Sequence, residues 1–362
     1  MCVKLSVLDL VPVRSRQSSA EALAASLDLA RAADELGYER YWVAEHHNMP
    51  SVASTNPAVI IGIIAAHTER IRVGSGGVML PNHAPLVVAE QFALLEAATP
   101  GRIDLGLGRA PGSDPVVTAV LNQSGATSDV NSFPNYVSDI ATLLSDEGAT
   151  VRLTSGTEYQ LRATPAATSA PDIWLLGSSD YSATLAASLG LPYVFAHHFA
   201  GAGAERALEI YRSQFRASHL LEAPRTFVTA NVVVAPTASE AYALALPYLQ
   251  HMARLRTNEP LGRLATVEEA AATTMTALQD EIIAASLGSW IIDEPVAAAR
   301  RVRELAARFD VDEVMVSPGA SAYDAEPADR APGRVRTLHL LAEQFGDDTS
   351  ALAHELSAHA AE

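Results

Sequence analysis

The stretch Tyr41-Trp42-Val43-Ala44-Glu45-His46-His47 is where the fold first becomes readable. An apolar run, Tyr41 to Ala44, leads straight into three ionisable side chains. The run reads as a short buried strand. A polar cluster at the C-terminal end of such a strand is where open α/β sheets and α/β barrels bind ligands. The fold then depends on whether other strands end in the same way.

Outward from this stretch, strands and helices alternate. Val3–Leu10 reads as a first strand, and Ala20–Leu36 as a helix stopped by Gly37. After Tyr41–Ala44, Asn56-Pro57 opens a helix to His67, with Asn as cap and Pro in the first helical position. Ile71–Val73 is a strand ending in Gly74-Ser75-Gly76-Gly77, followed by a helix from Leu86 to Ala97. Ile103–Leu107 ends in Gly108-Arg109, and a helix covers Asn135 to Leu144. Ile173–Leu176 ends in Gly177-Ser178-Ser179, with a helix to Leu189. Tyr193–Ala196 ends in His197-His198, with a helix from Ala204 to Ala217. Thr226–Val234 is a β-branched strand, Val296–Phe309 a helix, Glu313–Val316 the last strand and Val335–Phe345 a closing helix.

Two regions break the rhythm. Residues 151–170 alternate apolar and polar around Ser155-Gly156, which predicts a hairpin insertion. Residues 239–290 are mostly helical and longer than one crossover needs, which predicts an inserted helical subdomain or lid. Strands separated by crossover helices pair in parallel. Eight of them favour a closed (β/α)8 TIM barrel over an open doubly wound sheet. The expectation is a single barrel domain over 1–362, with five decorated strand ends gathered on one face.

Composition narrows the partners. Charged residues are 19% and apolar residues 49%, so a large core can form. The net charge of −17 argues against nucleic acid or an anionic membrane as partner. It still leaves room for an anionic cofactor held by one Arg and a few backbone N–H groups. The single cysteine, Cys2, forms no internal disulfide, which suits a reducing compartment. Met1–Leu10 is interrupted by Lys4 and Asp9 and is too short for a signal core. A cytoplasmic protein is expected.

Each strand end admits more than one reading. Glu45-His46-His47 reads as a metal site, as packing, or as one His facing a pocket for acid/base work. No HExxH spacing supports the metal. The glycines Gly74, Gly76 and Gly77 mark either a tight turn or the close approach of a flat ligand. Arg109 is either a phosphate holder or a surface ion-pair partner. Gly177-Ser178-Ser179-Asp180-Tyr181-Ser182 opens a helix, either as an anion site or with Asp180 as a plain cap. One of His197 and His198 faces the mouth. No G-x-S-x-G elbow supports a serine hydrolase.

Taken in order, five segments resemble the luciferase-like flavin monooxygenases, the bacterial luciferase superfamily. They are Tyr41–His47, Ile71–His83, Gly101–Gly112, Trp174–Ser179 and Leu191–Phe199. The resemblance spans Leu5 to about Phe345. It implies a (β/α)8 barrel that binds reduced FMN (FMNH2) and reacts it with O2. The flavin C4a-hydroperoxide so formed then hydroxylates or epoxidises a small organic substrate. It further implies His46 as catalytic acid/base with Glu45 beside it. Gly76-Gly77 falls where the family often has a non-proline cis peptide under the ring. Arg109, Gly177, Ser178, Tyr181 and Ser182 would surround the phosphate, Asp9 would reach the pocket, and His197 or His198 would flank the flavin. No metal is implied. A separate flavin reductase and a homodimer through early-barrel helices are the expected partners.

The chain departs from bacterial luciferase at Gly108, where that enzyme has a reactive cysteine, and at Gly177, where it has a Glu. Light emission is not expected. The pattern is closer to secondary-metabolite oxygenases, including polyketide-tailoring epoxidases of antibiotic biosynthesis. The alternatives are an F420-dependent hydride-transfer oxidoreductase on the same barrel and a non-catalytic flavin-binding protein.

Overall fold

A computed structural model describes residues 3–110, 115–122, 130–200 and 202–346. Eight parallel strands close on themselves: β1 (Lys4–Asp9), β2 (Arg40–Val43), β3 (Arg72–Ser75), β4 (Ile103–Gly108), β5 (Asp172–Gly177), β6 (Tyr193–Phe195), β7 (Thr226–Val234) and β8 (Glu313–Pro318). Closure is made where Lys4 pairs with Glu313 and Val7 with Val316. The expected (β/α)8 barrel is therefore the observed fold, and all eight predicted strands are barrel strands.

Helices cover the outside: α1 (Ser19–Glu35), α2 (Pro57–Ala65), α3 (Pro85–Ala98), α4 (Pro115–Asn122), α5 (Phe133–Leu144), α6 (Asp180–Leu189), α7 (His197–Ala200) and α8 (Ala204–Gln214). Beyond them come α9 (Ala238–Arg256), α10 (Val267–Ala272), α11 (Ala277–Ser286), α12 (Pro295–Phe309) and α13 (Pro332–Glu343). Local chemistry explains the starts. Ser18 and Glu21 form a reciprocal capping box on α1, and Asn56 accepts the Val59 N–H at the start of α2, where Pro57 follows. An antiparallel hairpin, Ala149–Arg152 with Glu158–Leu161, precedes β5. The segment α9–α11 lies between β7 and the crossover helix α12.

Side chains alternate along each strand, so even-numbered residues of β2 point inward and odd ones outward. The inward sets stack in layers, as barrel interiors do. The middle layer is apolar: Leu8, Trp42, Trp174, Val194, Phe227 and Met315 form one buried cluster. The Trp42, Trp174 and Phe227 rings meet with centroids 5.0–5.7 Å apart at tilted or edge angles. Below them lies a charged layer. Arg40, only 2% exposed, donates to Asp104 and Glu313 at 2.9 Å each, while Trp42 Nε1 donates to Asp104 at 2.9 Å. Arg72 adds two further bonds to Asp104. This network fills the N-terminal end of the barrel with mutually satisfied charges.

Candidate active site

A cavity of about 720 Å³ opens over the C-terminal ends of the strands. Its base is made of Leu8, Trp42, Ala44, Gly76, Gly77, Leu176, Val194 and Met315, the top of the apolar layer. The Gly76–Gly77 peptide is cis. A Cβ on Gly76 would lie 2.7 Å from Leu8 Cδ1, and one on Gly77 2.8 Å from the Gly106 carbonyl. Gly77 therefore needs glycine, at Gly76 the end of Leu8 would have to move, and the loop presents bare backbone to the cavity.

Two of the four strand-end histidines border the cavity. His46 shares the inward parity of Arg40, Trp42 and Ala44 and borders the cavity. His198, in the first turn of α7, borders it too. The His198 Nδ1 lies 2.6 Å from Thr229 Oγ1, and Asn231 Nδ2 donates to its carbonyl at 2.8 Å. Burial, helped by His197 and His46, pulls His198 down to about 4, so it is neutral at physiological pH. His197 points the other way, edge-on to Phe309 with centroids 5.3 Å apart, and does not line the cavity.

Glu45 requires a correction. It has the outward parity, is 0% exposed, and is not among the residues bordering the cavity. Its Oε1 accepts from His47 Nε2 at 2.8 Å and His83 Nε2 at 2.7 Å, and its Oε2 from the Met79 N–H at 2.9 Å. Burial raises its carboxyl, but these donors together bring it down to about 2. Glu45 thus ties the end of β2 to the chain just after Gly76-Gly77. Among the described residues no group of three or more His, Cys, Asp or Glu could hold a metal ion.

The opposite wall is the start of α6. Ser179 is the N-cap but its side chain makes no capping bond, so the first N–H groups of the helix are left for another acceptor. Asp180 is turned outward to Arg206, with Nε 2.8 Å away. The Arg109 guanidinium sits 3.9 Å above the Tyr181 ring, and both border the cavity with Ser178 and Ser179. Gly177 must be glycine because any Cβ would collide with Ser182 Oγ. The Ser182 hydroxyl donates to the Ser179 carbonyl at 2.9 Å, so its proton is already committed.

Asp9 borders the cavity, yet both its oxygens are engaged within the protein. One accepts the Val11 N–H at 2.8 Å and Arg334 Nη2, the other the Tyr41 hydroxyl at 2.5 Å. The expectation that Asp9 offers itself to a cofactor gives way to an anchor for Arg334. Residues 239–290 do reach the site: Tyr248, His251, Met252, Leu255, Ser286 and Trp290 form its roof. These roof residues, with Arg334, were not singled out from the sequence.

The luciferase-like monooxygenase family matches residues 3–313 of the chain. The chain belongs to that family. A luciferase-like monooxygenase of Escherichia coli (strain K12) is 39% identical over 317 residues, covering 87% of this chain and 91% of the relative. An N-acetyl-S-alkylcysteine monooxygenase of Bacillus subtilis (strain 168) is 40% identical over 199 residues, covering 55% and 58%. Among solved structures, apo-MsnO8 superposes with a TM-score of 0.79 at 31% identity, covering 95% of this chain and 98% of that one. As a luciferase-like monooxygenase, the chain is an enzyme of the flavin-dependent monooxygenase class. Among the described residues no helix is long and apolar enough to cross a membrane.

Proposed function

We propose that this chain is a monooxygenase that uses reduced FMN and O2 to hydroxylate or epoxidise a small organic substrate. One observation carries the reading. The open start of α6, the Arg109–Tyr181 stack, the bare Gly76-Gly77 backbone and the His46–His198 pair all face one cavity. A phosphate suits Arg109 and the first N–H groups of α6, with Ser178 and Tyr181 beside them. A flat ring suits the Gly76-Gly77 surface. FMN in its reduced form would supply the electrons that activate O2.

The chain's own residues do the rest. Neutral His198 offers one ring nitrogen to the cavity while Thr229 fixes the other. His46 is the group placed to hold or move a proton beside the ring. The roof of α9 and α11 shields the cavity from solvent, which limits side reactions at an O2-activating site. A separate flavin reductase supplies the reduced cofactor in this reading, and the enzyme works in the cytoplasm. Apolar residues exposed on α2 (Val59, Ile63) and α3 (Val87, Leu94) fit a homodimer through these helices. The largely apolar walls that remain beside the flavin positions, among them Pro12, Met252, Leu264 and Trp290, fit an organic substrate of polyketide type.

The test is O2 uptake and flavin reoxidation with reduced FMN, compared with reduced F420. Rapid O2 uptake at a rate altered from that of free reduced FMN supports the reading. Hydride transfer from F420 without O2 uptake replaces it with the F420-dependent alternative. Flavin binding with no effect on reoxidation or on any substrate leaves only a flavin-binding protein.

A further inference from the structure

The half of the cavity over β8 and β1 is given no polar partner by the flavin reading. In the barrel order these strands lie across from β4 and β5, which carry Arg109 and Gly177. Its walls are largely apolar, with Pro12, Leu264, Met252 and Trp290 among them. Against that background stand two donors. Arg334, in the first turn of α13, is 6% exposed and borders the cavity. Its Nη2 is held by Asp9, but its Nε is buried with no hydrogen-bond partner. A buried donor left without an acceptor costs about 1–3 kcal/mol, which an acceptor in the cavity would recover once a small shift of the guanidinium brings this N–H to it.

Tyr248, on α9, borders the same cavity. It lies close enough to Arg334 and Arg14 for each to influence its ionisation, and burial pushes its phenol up to about 12. It therefore stays protonated and able to donate. Asp9, the carboxylate facing this group, is already filled by Arg334, Tyr41 and Val11. His251 stands nearby, bonded through Nε2 to Ser51 Oγ at 3.0 Å. The pair Arg334 and Tyr248 thus offers N–H and O–H groups to whatever enters.

We propose that Arg334 and Tyr248 form a specificity subsite that holds an acceptor oxygen, a carboxylate or a carbonyl, of the organic substrate. The proposal rests on the flavin reading for the other half of the cavity. A substrate gripped here by its oxygen would present its remaining, more apolar part toward the Gly76-Gly77 surface.

The experiment is isothermal titration of the full-length protein, with and without FMN, using phenylacetate, phenylacetamide and the isosteric hydrocarbon isobutylbenzene as probes. Arg334→Lys keeps a cation for Asp9 while removing the Nε donor, and Tyr248→Phe removes only the hydroxyl. The affinity ratio of phenylacetate to isobutylbenzene should fall at least about tenfold in Arg334→Lys and severalfold in Tyr248→Phe, with phenylacetamide moving the same way. A ratio unchanged in both variants overturns the subsite. FMN titrated in the same samples separates the two readings. FMN binding with no change in the ratio overturns the subsite alone. A changed ratio with no binding of reduced FMN, titrated anaerobically, overturns the flavin reading alone.

Discussion

The two ends of the barrel are built from the same eight strands and treat charge in opposite ways. At the N-terminal end, Asp104 is matched by Arg40, Arg72 and Trp42, and Glu313 by Arg40 and Ser6. Those groups satisfy one another and form a plug. At the C-terminal end, α6 starts without a side-chain cap, Arg109 rests on a ring face, and the Arg334 Nε has no partner. The contrast separates polar residues that hold the fold from polar residues that, in the proposed reading, take a ligand. Buried networks of the first kind are rigid when complete and costly when broken.

The largest expected effect breaks the plug. Asp104→Ala removes the closest partner of Arg40 Nη1, leaving this buried cation with Glu313 and the partly exposed Glu39, and should cost about 3–5 kcal/mol. Chemical denaturation should show a markedly lower midpoint. A midpoint close to wild type would mean the floor charges are not coupled as the hydrogen bonds indicate. Next, His46→Ala at the mouth should leave stability and FMN binding near wild type while product formation falls about 10²–10⁴-fold. Unchanged turnover would remove His46 from the chemistry.

Smaller effects sharpen the comparison. Arg109→Ala should weaken FMN binding by about tenfold or more, from the loss of a charge-assisted contact, as read by flavin fluorescence. Glu45→Gln belongs to the structural class despite its place at a mouth-side strand end. The Glu45 carboxyl is held at about 2 against its ordinary 4.5. Its contribution, roughly 1.5–3 kcal/mol, should be fully present above pH 4.5 and fade as pH falls toward 2. Denaturation of wild type and variant at pH 7 and pH 3 should show the gap narrowing. His198 has a depressed value too, but as a base, at about 4 against 6.5. The unfolded chain therefore binds the extra proton between those limits, and stability should rise with pH from 4 to 6.5. His198→Gln should flatten that slope.

The same contrast explains what the sequence could tell. The strands were legible because short apolar runs alternate with helices and five of the eight runs end in Gly-rich, Arg or His clusters, and the helices because their caps are local: Ser18 with Glu21, Asn56 with Pro57. His46 was legible for the same reason. Glu45 was placed beside His46 at the cavity although alternation along a strand sends neighbours to opposite sides, and that parity, carried up from Trp42, selects His46. The choice between His197 and His198 stayed open because the chain turns there into α7, and that turn decides which of the two meets the cavity. Asp9 was placed at the pocket, but nothing local showed that Arg334, 325 positions away, would occupy it. Tyr248 and Arg334 escaped notice because they lie inside helices with no strand-end signature. Their significance appears only when the roof folds over β8 and β1.

The claim that the mouth takes reduced FMN through its phosphate is tested most directly by anaerobic titration with reduced FMN and reduced riboflavin, which differ only in that phosphate. The account predicts that reduced FMN binds at least about tenfold more tightly, and that Arg109→Ala removes most of the difference. Equal affinity for the two flavins in the wild-type protein would contradict it.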